Sequence, residues 1–393
     1  MDHQDRSVDV LLIGGGVASV RCARTLRRHG FDGSILLVGA EDRAPYNRPP
    51  LSKELLRDDL PDGLLAAEPS SWYARRSVES WTGVRVTALD PDSRRASMST
   101  GSTVTFERCL LATGAELRRL AIPGAAAALM LRTLEEARRV RAAAVAAPRG
   151  APVVVVGGGF IGLEVASGLA GLGLRPTVVE MGPILWGGSL GANVAAWGVR
   201  RLSDIGVELR LGSPVRRIAD GAAWTDEEHL RATFVVAGIG VTPRDELAAS
   251  AGIATSDGIL VDPAQRTDHP AVWAAGDVAR VDGRRVEHWH AAREAGERAA
   301  LSMLGLPVPI VPAPWVFSEV AGATLDVIRA VDGWEVEQWL VPDRLLAYRQ
   351  GERVVGIASI DSALPVEVGR RLVADGSSVA DVLAAADHSL AGA

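Results

Sequence analysis

Two glycine-rich strings are the most informative features of the sequence for its chemistry. Residues 14–19 (GGGVAS) and 157–162 (GGGFIG) follow the pattern G-x-G-x-x-G, with Ser19 in the last place of the first copy. Glycines at this spacing permit a tight turn and let the backbone approach a pyrophosphate at a helix N-terminus. One copy alone could be a turn without a ligand. Two copies predict two bound dinucleotides, a flavin and a pyridine nucleotide.

The elements around each string support this interpretation. An apolar run at residues 8–13 precedes the first string, and a helical stretch and a strand at 34–38 follow it. Apolar runs at 152–156 and 175–180 enclose the second string and a helix that we expect to end near Leu172. Strand, glycine turn, helix and strand form the βαβ unit of a parallel nucleotide-binding sheet.

Acidic residues near the end of the second strand of each unit predict how each nucleotide is held. Glu180 lies 23 positions after Gly157, where a carboxylate can bind a ribose 2′-hydroxyl and repels a 2′-phosphate. Residues 181–183 (MGP) supply no arginine for such a phosphate. We therefore expect NADH rather than NADPH at the second site, and Glu41 as the ribose ligand at the first.

Lysine is nearly absent from this chain. Lys53 is the one lysine among 42 basic residues. Its position is either a matter of chance or a requirement for an ammonium group on a flexible stem, which a planar guanidinium cannot replace. The residues around Lys53 favour the second interpretation, that this position requires an ammonium group.

Composition excludes several classes of protein. The two cysteines, Cys22 and Cys109, are too few and too far apart for a disulfide scaffold, a thiolate metal site or a dithiol redox centre. A net charge of −6 gives no basic field for nucleic acid. No apolar stretch is long enough to span a bilayer, and the polar N-terminus does not read as a signal peptide, so we expect a cytoplasmic protein. His288 and His290 form a His-x-His pair, but without a third ligand we expect no metal.

Further signatures predict the domain organisation. Short strands that break into turns lie at 110–114 and 234–240, and an apolar run ends in Gly276 and Asp277. An amphipathic helix is predicted over 290–304, and a surface helix over the alanine-rich residues 121–147. We expect an FAD-binding domain in two parts, an NADH-binding domain inserted in it, and a C-terminal α+β domain. The predicted boundaries are 1–115 and 243–313 for the FAD-binding domain, 116–242 for the NADH-binding domain and 314–393 for the C-terminal domain.

Taken in order along the chain, these motifs resemble those of the ferredoxin reductases that supply electrons to bacterial haem monooxygenases and Rieske dioxygenases. That group belongs to the FAD-dependent pyridine-nucleotide reductase superfamily, near its apoptosis-inducing-factor-like branch. The most specific match is residues 45–53 (PYNRPPLSK), which are similar to the flavin-contact segment of the family. Relatives that reduce disulfides carry a cysteine pair in this region. Its absence here points to electron transfer to an external partner.

The resemblance implies roles for individual residues. Ala18 and Glu41 would contact the ADP half of FAD, and Val86 its adenine. Lys53 would lie near the flavin N5 edge, paired with Glu164. The other implied FAD contacts are Gly14, Gly16, Arg48, Ala112, Thr113, Gly114, Arg132, Gly276, Asp277 and the backbone at Trp289. The implied NADH contacts are Gly157, Gly159, Ile161, Gly162, Glu180 and Gly238.

The fold class expected is α/β, with two doubly wound Rossmann-like domains and a C-terminal α+β domain. Hydride would pass from NADH to FAD, and single electrons from FAD to a 2Fe-2S ferredoxin that serves an oxygenase. The chain departs from the family at Ala295 and at residues 315–321 (WVFSEVA), near where electrons leave. Two alternatives therefore stay open: direct reduction of a small organic acceptor, and a redox-signalling flavoprotein scaffold.

Overall fold

A computed structural model describes residues 4–310, 313–329 and 333–390. The chain divides into two compact units. Unit 1 comprises the described residues of Met1–Arg48, Pro61–Glu116 and Val241–Val311, and unit 2 those of Pro49–Leu60, Leu117–Gly240 and Pro312–Ala393. The predicted division of the chain at residues 115, 242 and 313 stays a prediction. Among the described residues, no helix is long and apolar enough to cross a membrane.

The elements follow one another in four stretches of the chain. The first contains β1 (Arg6–Ile13), α1 (Val17–Arg28), β2 (Ile35–Val38), α2 (Glu54–Arg57), α3 (Asp62–Leu65), α4 (Ser70–Arg75), β3 (Val78–Trp81), β4 (Val86–Asp90), β5 (Arg95–Met98), β6 (Thr103–Leu111) and β7 (Ala115–Leu117). The second contains β8 (Leu129–Met130), α5 (Leu134–Ala146), β9 (Pro152–Val156), α6 (Phe160–Gly171), β10 (Arg175–Glu180), α7 (Gly191–Asp204), β11 (Glu208–Leu211), β12 (Arg217–Ala219), β13 (Ala222–Trp224), β14 (His229–Arg231) and β15 (Val235–Ala237). The third contains β16 (Val241–Pro243), α8 (Glu246–Ser250), β17 (Ile259–Val261), β18 (Val272–Ala274), β19 (Ala279–Val281) and α9 (Trp289–Met303). The fourth contains β20 (Trp315–Val320), β21 (Ala323–Arg329), β22 (Val336–Val341), β23 (Leu345–Gln350), β24 (Arg353–Ile360), α10 (Val366–Asp375) and α11 (Val379–Leu390).

Unit 1 is built on a sheet of order β3-β2-β1-β6-β5-β4, with β18 also paired to β6. Strands β1, β2, β3, β6 and β18 run parallel, and β4 and β5 form an antiparallel edge. Val10 and Leu12 pack on one face, where α1 and α9 lie, and Leu11 packs on the other. Because both faces are covered, the central strand reads as a continuous apolar run.

Unit 2 contains a second parallel sheet, of order β11-β10-β9-β15-β8, and an antiparallel meander β12-β13-β14. The valine run of β9 supplies Val154 and Val156 to a core that also takes Val179 of β10 and Ile218 of the meander. The glycine turn that follows β9 therefore starts from a rigid, buried strand.

The C-terminal part of unit 2 is an antiparallel sheet of order β20-β21-β24-β23-β22, with α10 and α11 on its apolar face. Its side chains reach the segment that leads into α7. The carboxylate of Glu337 accepts hydrogen bonds from the backbone N–H groups of Ala192 (3.1 Å) and Asn193 (3.0 Å). Tyr348 donates its hydroxyl to the backbone oxygen of Leu190 (2.7 Å). The sheet thus caps the start of α7.

The predicted fold class, two doubly wound units and a C-terminal α+β part, is confirmed. The surface helix predicted over residues 121–147 is wrong in its first half. There the structure has Gly124 in a left-handed conformation (φ +78°), a short 3-10 turn and strand β8. Helix α5 begins only after Thr133, which forms a capping box with Glu136. Alanine content alone does not start a helix, whereas the cap does.

Candidate functional site

In the first glycine turn, which lies in unit 1, Gly14 and Gly16 have different roles. Gly14 has φ +122°, and a Cβ atom there would lie 2.0 Å from the backbone oxygen of Ala112. At Gly16, the N-cap of α1, a Cβ atom would meet no atom within 4 Å. The turn requires Gly14, whereas Gly16 leaves the first backbone N–H groups of α1 open to a ligand.

The helix after this turn packs closely on its neighbours. A Cβ atom at Gly296 of α9 would lie 2.2 Å from the backbone oxygen of Ala18, and one at Gly276 would lie 3.3 Å from the Cβ atom of Ala18. Ala18 is buried, and so is Ser19, in the last place of the motif. The structure therefore brings together Ala18 and Gly276, two of the predicted FAD contacts.

Glu41 lies in a polar cluster of unit 1. Its carboxylate accepts hydrogen bonds from the hydroxyl of Tyr46 (2.6 Å) and from Nη2 of Arg48 (2.7 Å). Burial acts to lower the pKa of Arg48, but electrostatic interactions with Tyr46, Glu41 and Asp277 raise it above its ordinary value. Three predicted FAD contacts, Glu41, Arg48 and Asp277, are thus neighbours.

Helix α9 begins at Trp289, one residue before the start of the predicted helix. The indole Nε1 of Trp289 donates to Oδ1 of Asn47 (3.1 Å), and the guanidinium of Arg293 lies 4.5 Å from the indole centroid. Asn47 belongs to the motif at residues 45–53. This contact ties the start of α9, with its N-terminal partial positive charge, to that motif.

The remaining predicted FAD contacts are Val86, Ala112, Thr113, Gly114 and Arg132. Val86 and Ala112 are buried, Val86 in the apolar core of unit 1. Thr113 donates its hydroxyl to the backbone oxygen of Arg244 (2.6 Å), and Gly114 has φ +72°. Arg132 belongs to unit 2, where its backbone N–H donates to Glu136 (2.9 Å).

The second glycine turn, in unit 2, repeats the geometry of the first. Gly157 has φ +109°, and a Cβ atom there would lie 2.4 Å from the backbone oxygen of Gly238. A Cβ atom at Gly162 would lie 2.0 Å from the backbone oxygen of Gly157, whereas one at Gly159 would meet nothing within 4 Å. Ile161, in the first turn of α6, is 41% exposed. The open glycine is again the helix N-cap.

Glu180 is fixed beside this second turn. Its carboxylate accepts hydrogen bonds from the backbone N–H groups of Gly158 (2.6 Å) and Gly182 (2.7 Å). Met181, the next residue, is 76% exposed. A carboxylate held at the end of β10, next to an open glycine turn, is suited to accept hydrogen bonds from ribose hydroxyls.

Lys53 and Glu164 form a buried ion pair in unit 2, with Nζ 2.8 Å from Oε2. The side chain of Lys53 is 9% exposed and that of Glu164 is 2% exposed. Ser52 donates its hydroxyl to Oε2 of Glu164 (2.5 Å), and Ser318 of β20 donates to Oε1 (2.7 Å). Nζ of Lys53 also lies 5.2 Å from the ring centroid of Phe317. The motif at 45–53 contains Ser52, but nothing in the sequence connects Ser318 to Glu164.

The two cysteines belong to the buried apolar core of unit 1. Cys22 and Cys109 are free and fully buried, and burial raises the pKa of both thiols. A buried thiol with a raised pKa is a poor nucleophile at neutral pH.

The rings of His288 and His290 stack with their centroids 6.1 Å apart. Among the residues that the structure describes, no group of His, Cys, Asp or Glu is arranged to hold a metal.

These residues fit two dinucleotides. Each glycine turn combines a glycine that the turn requires with an open glycine at a helix N-cap, and the second turn also has the carboxylate of Glu180 beside it. The open N-cap of α1 suits the pyrophosphate of FAD, and that of α6 suits the pyrophosphate of NAD(H). The arrangement explains why two copies of the motif occur in one chain.

Comparison with known proteins agrees with this geometry. The biphenyl dioxygenase system ferredoxin–NAD(+) reductase component of Paraburkholderia xenovorans (strain LB400) is 36% identical over 336 residues, which cover 82% of this chain and 81% of the relative. The structure of a ferredoxin reductase for the CYP199A2 system from Rhodopseudomonas palustris is similar, with a TM-score of 0.89, 30% identity, and coverage of 96% of this chain and 97% of that one. The reductase in a covalent putidaredoxin reductase–putidaredoxin complex matches with a TM-score of 0.88, 27% identity, and coverage of 95% and 94%.

Residues 8–296 match the family described as pyridine nucleotide-disulphide oxidoreductase. This match spans well over half of the chain, and the curated relative extends over most of it. The chain therefore belongs to the pyridine nucleotide-disulphide oxidoreductase family, as an FAD-dependent oxidoreductase that binds NAD(H).

Proposed function

We propose that this protein is an NADH:ferredoxin oxidoreductase that passes electrons to a 2Fe-2S ferredoxin serving a haem monooxygenase or a Rieske oxygenase. One observation carries the proposal. Lys53, directly before α2, forms a buried ion pair with Glu164 of α6, whereas both cysteines are buried in unit 1. A dithiol step has no residues here, so electrons must leave for an external acceptor. The relatives named above, which are ferredoxin reductases, support a ferredoxin as that acceptor.

The residues of unit 1 would hold FAD, which when bound accepts a hydride and releases single electrons. The open N-cap at Gly16 would bind its pyrophosphate, and the cluster of Glu41, Arg48 and Asp277 its polar groups. The start of α9 at Trp289 would direct the partial positive charge of the helix N-terminus toward negative charge on the bound flavin. The other proposed FAD contacts are Gly14, Ala18, Val86, Ala112, Thr113, Gly114, Arg132 and Gly276.

The residues of unit 2 would select and orient the nicotinamide nucleotide. Glu180, fixed by two backbone N–H groups, would accept hydrogen bonds from the adenosine ribose and repel a 2′-phosphate. Its partners in this site would be Gly157, Gly159, Ile161, Gly162 and Gly238. We propose Lys53 and Glu164 as the catalytic pair, in which Glu164 orients the ammonium group of Lys53.

The alternative of a small organic acceptor requires the altered run at residues 315–321 to open a pocket at Val320 and Ala321. Both side chains are buried, at 0% and 7% exposure, and so they do not line an opening in this structure. Ferredoxin is kept as the proposed acceptor because the relatives named above are ferredoxin reductases, and the cytoplasm is the proposed location.

The test is NADH-driven cytochrome c reduction by the purified holoenzyme, with and without a panel of 2Fe-2S ferredoxins. We expect strong stimulation by at least one ferredoxin, and a preference for NADH over NADPH. Rapid reduction of the flavin by NADH, without stimulation by any ferredoxin and with turnover of a quinone, would contradict the proposed partner and leave the nucleotide sites in place.

A further inference from the structure

We propose that Ser318, together with Ser52, is a positioning residue that sets the direction of the Lys53 ammonium group by fixing the carboxylate of Glu164. The inference rests on the role proposed above for Lys53. It adds to that role a residue from the C-terminal sheet, which lies far from the nucleotide motifs in the sequence.

The first step is that both oxygen atoms of Glu164 are occupied. Oε2 receives Nζ of Lys53 at 2.8 Å and the hydroxyl of Ser52 at 2.5 Å. Oε1 receives the hydroxyl of Ser318 at 2.7 Å. The carboxylate is 2% exposed, so water cannot replace a lost donor without a change in the local packing. Its orientation is thereby determined by three donors, two of which are neutral hydroxyls.

The second step is that Ser318 is itself held in place. Its side chain is fully buried. The next residue, Glu319, forms an ion pair with Arg57 of α2, and the backbone N–H of Ala321 donates to the hydroxyl of Ser167 (3.0 Å). Ser167 lies on α6, the helix that carries Glu164. Strand β20 is therefore anchored to both elements that supply the ion pair.

The third step concerns what the hydroxyl of Ser318 does for Lys53. While Ser318 occupies Oε1, the ammonium group is confined to Oε2, on the side of Ser52. Without that hydroxyl, Oε1 is a buried acceptor lacking a donor, and the ammonium group of Lys53, 2.8 Å from Oε2 of the same carboxylate, can turn toward it. Ser318 thus acts through Glu164 on the direction of Lys53, and it need not contact a ligand itself.

The test is a double-mutant cycle in the holoenzyme, with Ser318→Ala, Lys53→Met and both changes combined. We expect Ser318→Ala to slow flavin reduction by NADH about tenfold, the scale of one hydrogen bond to a charged group. It should also shift the midpoint potential of the bound flavin in the same direction as Lys53→Met. In the Lys53→Met background, Ser318→Ala should change neither quantity further, because the group on which it acts is absent.

The matched control is Ser359→Ala, which removes another buried hydroxyl from the same sheet, bonded only to the backbone of Leu364 in the contacts observed. It should lower thermal stability and leave the flavin potential unchanged. If Ser318→Ala retains too little FAD to study, Ser52→Ala tests the same carboxylate. Equal effects of Ser318→Ala with and without Lys53, or an unchanged potential, would overturn the inference. An unaltered Lys53→Met enzyme would instead contradict the proposed role of Lys53.

Discussion

The ammonium group of Lys53 lies 2.8 Å from the carboxylate of Glu164, in a site where both side chains are less than a tenth exposed. Breaking a buried ion pair by removing one charge leaves the other uncompensated, which costs about 3 kcal/mol or more. We expect Glu164→Gln to lower the free energy of unfolding by this amount and to slow flavin reduction at least tenfold. Chemical denaturation and stopped-flow absorbance measure the two effects.

A matched control for this substitution is Glu319→Gln. Glu319 pairs with Arg57 at a site where the two side chains are 26% and 38% exposed. For such an ion pair we expect a loss below about 1 kcal/mol. If both substitutions cost the same, burial does not distinguish the Lys53–Glu164 pair and its assignment fails.

Gly14, which the first turn requires, and Gly16, which is open, predict different effects of alanine substitution within the same turn. Gly14→Ala puts a Cβ atom 2.0 Å from the Ala112 backbone, in a left-handed conformation, and should yield little folded protein. Gly16→Ala meets no protein atom and should fold normally, yet lose FAD affinity at least tenfold because the methyl group stands where a pyrophosphate approaches. Isothermal titration of apoprotein with FAD measures this. Normal FAD affinity in Gly16→Ala would contradict a pyrophosphate at the N-cap of α1.

The preference for NADH over NADPH should depend on the charge of the side chains at the end of β10. Glu180→Ala combined with Met181→Arg removes a carboxylate and places a guanidinium at an exposed position. We expect the ratio of kcat/KM for NADH to that for NADPH to fall by two orders of magnitude, on the order of 3 kcal/mol. The single change Met181→Arg, which keeps Glu180, should move the ratio less. A ratio that stays constant in the double variant would show that Glu180 does not contact the ribose.

Asp326 predicts a pH dependence of stability. Burial raises the pKa of Asp326 above its ordinary value, and the hydrogen bond from Nε1 of Trp315 (2.9 Å) only partly opposes this. A carboxyl group whose pKa is higher in the folded state destabilises that state as the pH rises above about 4, where the unfolded group ionises. We expect Asp326→Asn to be more stable than the native chain at pH 7, with the difference vanishing below pH 4.

Asp381 is the control of opposite sign. Hydrogen bonds from the hydroxyl and backbone N–H of Ser378 lower the pKa of Asp381. Asp381→Asn should therefore lose stability at pH 7 and match the native chain only at low pH. Urea unfolding at several pH values compares the two variants. A less stable Asp326→Asn at pH 7 would be inconsistent with a destabilising carboxylate at that position.

Local patterns were sufficient to predict the nucleotide-binding elements. The expected strands 152–156 and 175–180 coincide with β9 and β10, because valine runs bounded by glycine and proline leave few other registers. The helix predicted from alanine content over residues 121–147 was wrong in its first half because no helix cap was considered. Helix α5 starts directly after its N-cap Thr133, not in the alanine run before it. Capping depends on two particular side chains, not on average helix propensity.

The site was only partly predictable, for a different reason. Lys53 stood out because no other lysine occurs in the chain, whereas Glu164 was implied only by the resemblance to the ferredoxin reductases. Ser318 lies in the run 315–321 that departs from the family pattern, but its contact with Glu164 carried no signal, since its hydroxyl acquires this partner only when β20 packs on α6. Contacts between strands and helices that are distant in sequence follow from tertiary packing, which no local pattern encodes.

The cap that Glu337 places on α7 has a consequence for how such chains can recombine. A Cβ atom at Gly191 (φ +80°) would lie 2.1 Å from a carboxylate oxygen of Glu337, so a side chain at this position would displace the cap. A crossover between homologous genes near the start of β20 would separate Glu337 from Gly191 and Ser318 from Glu164. A chimera joined there keeps its C-terminal sheet in place only if the incoming segment supplies partners for both contacts, so the junction tests the two contacts together.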